Sequence, residues 1–184
     1  MTTADTSVRI AWSADADAIA TLQAAAWRER YADVLPPELL EQVVPELFAE
    51  KWAASLDRPG DARNRALVAL EHSTVRGFTV TGPSTDDDAD PVADGEVSEL
   101  TVSPDHRRTG HASRLLQAAA DTLRADRFTR ATMWLDARDD ALRAFVASTG
   151  WAPDGAHREV DPVGDGSVRL KQVRLHTTLG GDGD

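Results

Sequence analysis

The chain has 184 residues, enough for one domain of ordinary size to bury a core without disulfides, and it contains no cysteine. Disulfide frameworks, thiolate zinc sites and a cysteine nucleophile are thereby excluded. With 31 Asp and Glu against 20 Lys and Arg, the formal net charge of -11 opposes general nucleic-acid binding, which draws most of its affinity from phosphate neutralisation.

The histidines, His72, His106, His111, His157 and His176, show no spacing that would place two on one helix face, so no metal site is expected. No apolar run approaches the ~18 residues of a membrane span, and no basic segment followed by an apolar stretch opens the chain. A cytoplasmic protein without a membrane partner is expected.

Residues 8–12 read as a strand, and Ser13 followed by Asp15 and Asp17 marks a helix start with acidic residues in its first turn. Ile19, Leu22, Gln23, Ala26 and Trp27 keep near-helical spacing, a break falls around 31–37, and Pro36-Pro37 opens a helical stretch predicted over 38–55. After the turn signal Arg58-Pro59-Gly60-Asp61, apolar runs at 66–70 and 75–80 flank His72-Ser73-Thr74 and predict a hairpin. Residues 82–95 hold Gly, Pro, Ser and five aspartates, which predicts a solvated loop whose charge serves solubility.

Residues 96–102 then form a strand, 110–125 a helix with Ala112, Leu115, Leu116, Ala119 and Leu123 along one face, and 131–135 another strand. That is the length and order of a βαβ unit, with two parallel strands. A short helix over 139–149 is expected to stop at Gly150 in a left-handed cap. Runs at 156–160 and 168–177 predict a terminal antiparallel hairpin, and 179–184 should fray. The reading is one domain over 1–184, with a core at about 6–178 and no internal repeat. Trp27, Trp134 and Trp151 are expected in the core, with Trp12 and Trp52 undecided.

The most pointed segment is Arg107-Arg108-Thr109-Gly110-His111-Ala112, between a strand and a helix start. A helix N-terminus leaves about four N–H groups without intrahelical partners and carries roughly half a positive charge, so it binds phosphate. Gly110 permits close approach or positive φ, and Ala112 keeps the next contact small. From His106 to Arg114 there are three arginines, two histidines and no acidic residue, inside an acidic chain. The ligand expected here is anionic.

This order of elements, with Leu100-Thr101-Val102-Ser103-Pro104, the Arg-x-x-Gly-x-Ala loop, Leu115-Leu116 and Phe145 through Gly150-Trp151, resembles the GCN5-related N-acetyltransferase (GNAT) family over nearly the whole chain. The resemblance implies an α/β (α+β) fold: a mixed, mostly antiparallel central sheet flanked by helices, the acyl-CoA N-acyltransferase fold, with splayed parallel fourth and fifth strands. It implies acetyl-CoA as co-substrate. Leu100, Thr101 and Val102 would lend backbone groups to the pantetheine arm, and Arg107, Arg108, Thr109, Gly110, His111 and Ala112 would hold the pyrophosphate. An extended amide-bearing arm can pair with a splayed strand as a pseudo-strand. Asp139 stands where an asparagine often contacts the cofactor, Leu142 where alanine is usual, and Phe145 in the following aromatic position. His111 either adds charge near phosphate or is a solvent-facing helix residue.

Acetyl transfer to an amine needs a neutral amine, a stabilised oxyanion and a proton for the departing thiolate. The resemblance assigns the oxyanion to the backbone N–H of Val102. Glu96, six residues earlier, stands where one branch of the family carries its base; Glu99 is the neighbour, and alternation sends the two to opposite faces of the strand. Either acts as base, directly or through water, or is a solvated edge carboxylate. Many family members place a tyrosine acid where this chain has Val146, which donates no proton. Tyr31, the only tyrosine, replaces that acid or is a half-buried aromatic whose hydroxyl reaches water. The acceptor is expected to be a primary amine of a small molecule or peptide, and a homodimer stays open. The competing reading is a non-catalytic acyl-CoA-binding regulatory domain of the same fold.

Overall fold

The computed structural model describes residues 5–180. Its seven strands form one mixed sheet in the order β1-β2-β3-β4-β5-β7-β6. The expected tail at 179–184 lies outside the described residues from 181 onward, but Leu179 is buried and its N–H donates to the Thr129 carbonyl at 2.8 Å, so the chain is tied down to that point. The described residues cluster into two compact units, residues 5–81 with 99–122 and residues 82–98 with 123–180.

In the first unit, β1 (Thr6–Ile10) leads through a 3-10 turn (Ser13–Asp15) to α1 (Ala16–Arg30). Asp15 builds that entry: its carboxylate accepts from the Trp12 amide at 2.7 Å and from Arg9 at 2.7 and 3.1 Å. The stretch predicted as one helix over 38–55 is two, α2 (Pro37–Leu40) and α3 (Glu46–Asp57). Pro45 explains the break, since it has no N–H to continue α2 and is well suited to start α3. The hairpin is present as β2 (Arg65–Glu71) and β3 (Thr74–Pro83), antiparallel, and β1 pairs antiparallel with β2.

α1 packs its small face inward. Ile19 joins Ala11, Ala66, Val68 and Phe78, while Ala20 and Ala24 meet Val43 and Phe48. Trp52 bridges both clusters, standing edge-on to Phe78 with its Nε1 donating to Gln23 at 2.6 Å. Trp12 is exposed, with the Arg9 guanidinium 3.8 Å above its ring. β4 (Asp94–Val102) runs from the second unit into the first, followed by α4 (His111–Ala125), whose Leu115, Leu116, Ala119 and Leu123 are buried as the periodicity predicted.

In the second unit, β4 pairs in parallel with β5 (Arg130–Asp136), but the register runs only from Asp94↔Arg130 to Glu96↔Thr132. α5 (Asp140–Ser148) stops before Gly150, which is left-handed at φ +98° as expected. β6 (Ala152–Val160) and β7 (Leu170–Thr178) form the terminal hairpin, and β7 pairs along all of β5. Asp161 shapes the connection between them, its carboxylate accepting from the amides of Val163, Gly164 and Gly166 at 3.0, 2.7 and 2.6 Å. Trp151 is core, as expected. The loop expected at 82–95 is shorter, because β3 continues to Pro83 and β4 begins at Asp94.

Candidate active site

The basic loop has the geometry that an anion needs. A 3-10 turn (Pro104–His106) hands the chain to Arg107 in extended conformation, and Arg108 and Gly110 are left-handed at φ +61° and +85°. Left-handed backbone in such a loop curls its N–H groups toward a common side, and α4 adds the free amides of its first turn. An arginine at φ +61° costs roughly 1 kcal/mol, a strain concentrated where ligands bind. Thr109 Oγ1 donates to the His106 carbonyl at 2.6 Å and Arg114 Nη1 to the Thr109 carbonyl at 3.3 Å, which pins the curl. Arg108 and Arg114 are exposed. Arg107 lies bidentate on Glu29 of α1, at 2.7 and 2.6 Å, and those bonds hold the Glu29 carboxyl below the usual carboxylate range.

His111 departs from both expectations. It is only 1% exposed, and neither ring nitrogen has a hydrogen-bond partner. Burial, reinforced by the nearby Arg114, pushes its pKa below the ordinary histidine value, so the ring brings no charge to phosphate. It fills the space under the loop as an apolar residue would, leaving two polar atoms unsatisfied. His111→Leu should accordingly raise stability, by about 1 kcal/mol. The sign with pH follows: a depressed histidine pKa favours the unfolded state as pH falls through the unfolded value of about 6.5. Thermal melts from pH 8 to pH 5 should show a decline in the wild-type protein that is smaller in His111→Leu.

Three other predicted residues meet in the first unit. Glu99 accepts from Thr101 Oγ1 at 2.6 Å, and Arg30 Nη2 lies 3.5 Å from it. Arg30 also hydrogen-bonds Tyr31, and its guanidinium is raised above its ordinary pKa: burial opposes the charge, and Glu99 and then Tyr31 favour it. Tyr31 is 8% exposed rather than half-buried, edge-on to Trp27 at 5.6 Å between ring centroids. Arg30 thus gathers Glu99 and Tyr31 into one cluster. Sequence reasoning missed it, and its only signal was its place beside Tyr31. Leu100 is buried and Val102 half-buried at the end of the same strand, and Ala112 sits half-buried in the first turn of α4.

Glu96 belongs to the second unit and has different company. It is half-buried, accepting at Oε2 from the Thr85 amide at 3.1 Å and from Thr85 Oγ1 at 3.4 Å. Burial pushes its carboxyl above the usual glutamate value; the Thr85 amide opposes this, Asp86 adds to it and Arg158 counters it. Such a carboxyl suits general-base work better than an exposed one. Asp139 caps α5, accepting from the Leu142 amide at 3.0 Å. Phe145 is half-buried, and Val146, where a tyrosine was expected from the resemblance, is fully buried.

Two sequence expectations fail in this unit for one reason. Trp134 is not a core residue but lies half-buried, its Nε1 donating to Asp86 at 2.9 and 3.1 Å, with the Arg158 guanidinium 4.3 Å from its ring centroid. The aspartates of the 84–93 connection are not mere solubilising charge either. Asp86 and Asp88 bind Arg174, Asp90 accepts from the Val92 and Ala93 amides, and Asp94 is buried near Arg130. Composition counts charges without showing the arginines that face them.

Among the described residues no helix is long and apolar enough to cross a membrane. The model of the acetyltransferase (GNAT) family matches residues 18–151, and the chain belongs to that family. A segment of 94 residues, 51% of the chain, is 32% identical to the mycothiol acetyltransferase of Kineococcus radiotolerans and spans 29% of that protein's length. In fold, the chain is similar to the PaiA N-acetyltransferase of Thermoplasma acidophilum, solved with coenzyme A (TM-score 0.73, 16% identity, covering 95% of this chain and 99% of that one). It is also similar to yncA of Salmonella typhimurium, solved with acetyl-CoA (TM-score 0.70, 19% identity, covering 98% and 97%).

Proposed function

We propose that this chain, as a single GNAT domain over 1–184, is a cytoplasmic acetyl-CoA-dependent N-acetyltransferase that acetylates a primary amine of a small molecule or peptide by direct attack on the thioester. The observation that carries the reading is the loop from Arg107 to Ala112. Its left-handed Arg108 and Gly110, its free helix-start amides and its exposed Arg108 and Arg114 fit a pyrophosphate. Family membership and the neighbours solved with coenzyme A or acetyl-CoA support the same ligand.

Bound acetyl-CoA would supply the activated acetyl group. The backbone of Arg107 through Ala112 would hold its phosphates, Leu100, Thr101 and Val102 would offer backbone groups to its arm, and Asp139 and Phe145 would contact it. The Val102 N–H is the donor for developing oxyanion charge. Glu96 is the general base and Tyr31 the proton donor in place of the absent tyrosine at Val146. Glu99, committed to Arg30 and Thr101, fixes the Arg30 and Tyr31 pair rather than taking a proton itself.

The base assignment is tested by Glu96→Gln and by the pH profile of thiol release with a reactive amine. A base acts only when deprotonated, and burial raises the Glu96 pKa, so the acid limb of kcat/KM should lie above the ordinary glutamate range of about 4.3. Glu96→Gln should lower kcat/KM by about 100-fold while coenzyme A affinity is unchanged. A variant with wild-type kcat/KM would remove Glu96 from the mechanism.

A further inference from the structure

The second unit holds a charged cluster that the proposed chemistry does not use. Arg174 of β7, itself buried, donates through Nη1 to Asp86 at 2.9 Å, through Nη1 and Nη2 to Asp88 at 2.7 Å each, and through Nε to Asp154 at 2.7 Å. Both Asp86 oxygens also receive the Trp134 indole N–H, and Arg158 lies 3.8 Å from Oδ1. One aspartate is therefore fixed from β5, β6 and β7 at once.

Asp86 directly follows Thr85, whose amide and hydroxyl are the hydrogen-bond donors on Glu96. The preceding residue is fixed as well, because the Ser84 amide donates to the Asp94 carbonyl at 3.0 Å. Thr85 is thus held between two anchored neighbours. We propose that Asp86 is a positioning residue for Glu96: clamped by Arg174 and Trp134, it fixes the turn that delivers the Thr85 donors to the Glu96 carboxylate. This rests on the reading of Glu96 as base.

The clamp also sets the electrostatics. The charged groups that act on Glu96 are Asp86 from the loop, which disfavours its ionised form, and Arg158 from β6, which favours it. Arg174 stands behind Asp86, and Arg130 of β5 is engaged by Asp94 and Asp154. Asp88 shares Arg174 but is two-thirds exposed and is not among the groups that shift Glu96, which makes it the matched control.

The test compares Asp86→Asn and Asp88→Asn by carbon NMR titration of the Glu96 carboxyl and by hydrogen exchange of the Thr85 amide, neither of which needs an acceptor. In Asp86→Asn the Glu96 midpoint should rise further above the ordinary glutamate value, because losing the Thr85 donors, which favour the ionised form, outweighs losing the Asp86 charge, which disfavours it. Thr85 exchange should quicken by at least about tenfold, the mark of a lost local constraint. Asp88→Asn should match the wild type in both. Where an acceptor is in hand, Asp86→Asn should also move the acid limb of kcat/KM to higher pH, with the KM for acetyl-CoA unchanged. Unmoved Thr85 exchange, or a Glu96 midpoint that stays put or falls as it would on removal of the Asp86 charge alone, overturns the proposal.

Should Asp86→Asn fail to fold, Trp134→Phe removes only the indole donor and keeps the ring; faster Thr85 exchange supports the clamp and unchanged exchange contradicts it. An active Glu96→Gln enzyme would refute the base assignment, and with it the catalytic half of this proposal, without altering either spectroscopic result.

Discussion

Gly110→Asp should weaken coenzyme A binding by at least about 100-fold, or 2.7 kcal/mol, and leave the fold standing. The position is left-handed at φ +85°, where a side chain costs roughly 1 kcal/mol and aspartate is among the better tolerated residues. Space is available, since an added Cβ meets only the guanidinium of Arg114, at 3.1 Å, and that flexible chain can shift. What the substitution changes is charge: a carboxylate enters the first-turn amides of α4 and competes with phosphate for them and for Arg114. Gly110→Asn imposes the same backbone cost without the charge and should lose far less affinity. Calorimetric titration of both variants with coenzyme A separates the two effects, and equal affinity of wild type and Gly110→Asp would refute the phosphate-loop assignment.

The second large effect is on stability. Arg174→Met should cost about 3–5 kcal/mol, because Asp86 and Asp154, with side chains only 10% and 11% exposed, lose the cation closest to both and are left with Trp134 and the more distant Arg158, and with Arg130, respectively. For a chain of this size that is roughly a 10 °C drop in Tm. Arg107→Met also removes an arginine bidentate to a carboxylate, but both partners are about half exposed, and water replaces the bond at a cost under ~1 kcal/mol. The contrast between the two melts tests whether burial, and not the presence of an ion pair, decides the outcome. Similar Tm values for the two variants would contradict it.

The elements with strong periodicity were legible from sequence. The βαβ unit, the hairpin at β2 and β3, the Gly110 turn and the Gly150 cap all follow from local signals: apolar spacing, turn residues and glycines where positive φ is required. The split of α2 from α3 is not legible in the apolar pattern, which runs on across it; Pro45 at the start of α3 marks it instead. The site was legible only where one segment carries it. The proposed phosphate loop is contiguous, so its chemistry can be read along the chain, whereas Arg30 with Glu99 and Arg174 with Asp86 join residues 69 and 88 positions apart. His111 misled for a related reason, since the basic loop around it is exposed while its own ring is buried.

Acetyl transfer itself is tested by incubating the wild-type protein with acetyl-CoA and a broad panel of primary amines and peptides and following thiol release together with product mass. At least one amine should release thiol well above the amine-free rate, with an equal amount of N-acetylated product. Tight coenzyme A binding without thiol release across the whole panel would contradict the enzyme reading and leave a cofactor-binding domain, the alternative that the buried Val146 and the capping role of Asp139 would then explain.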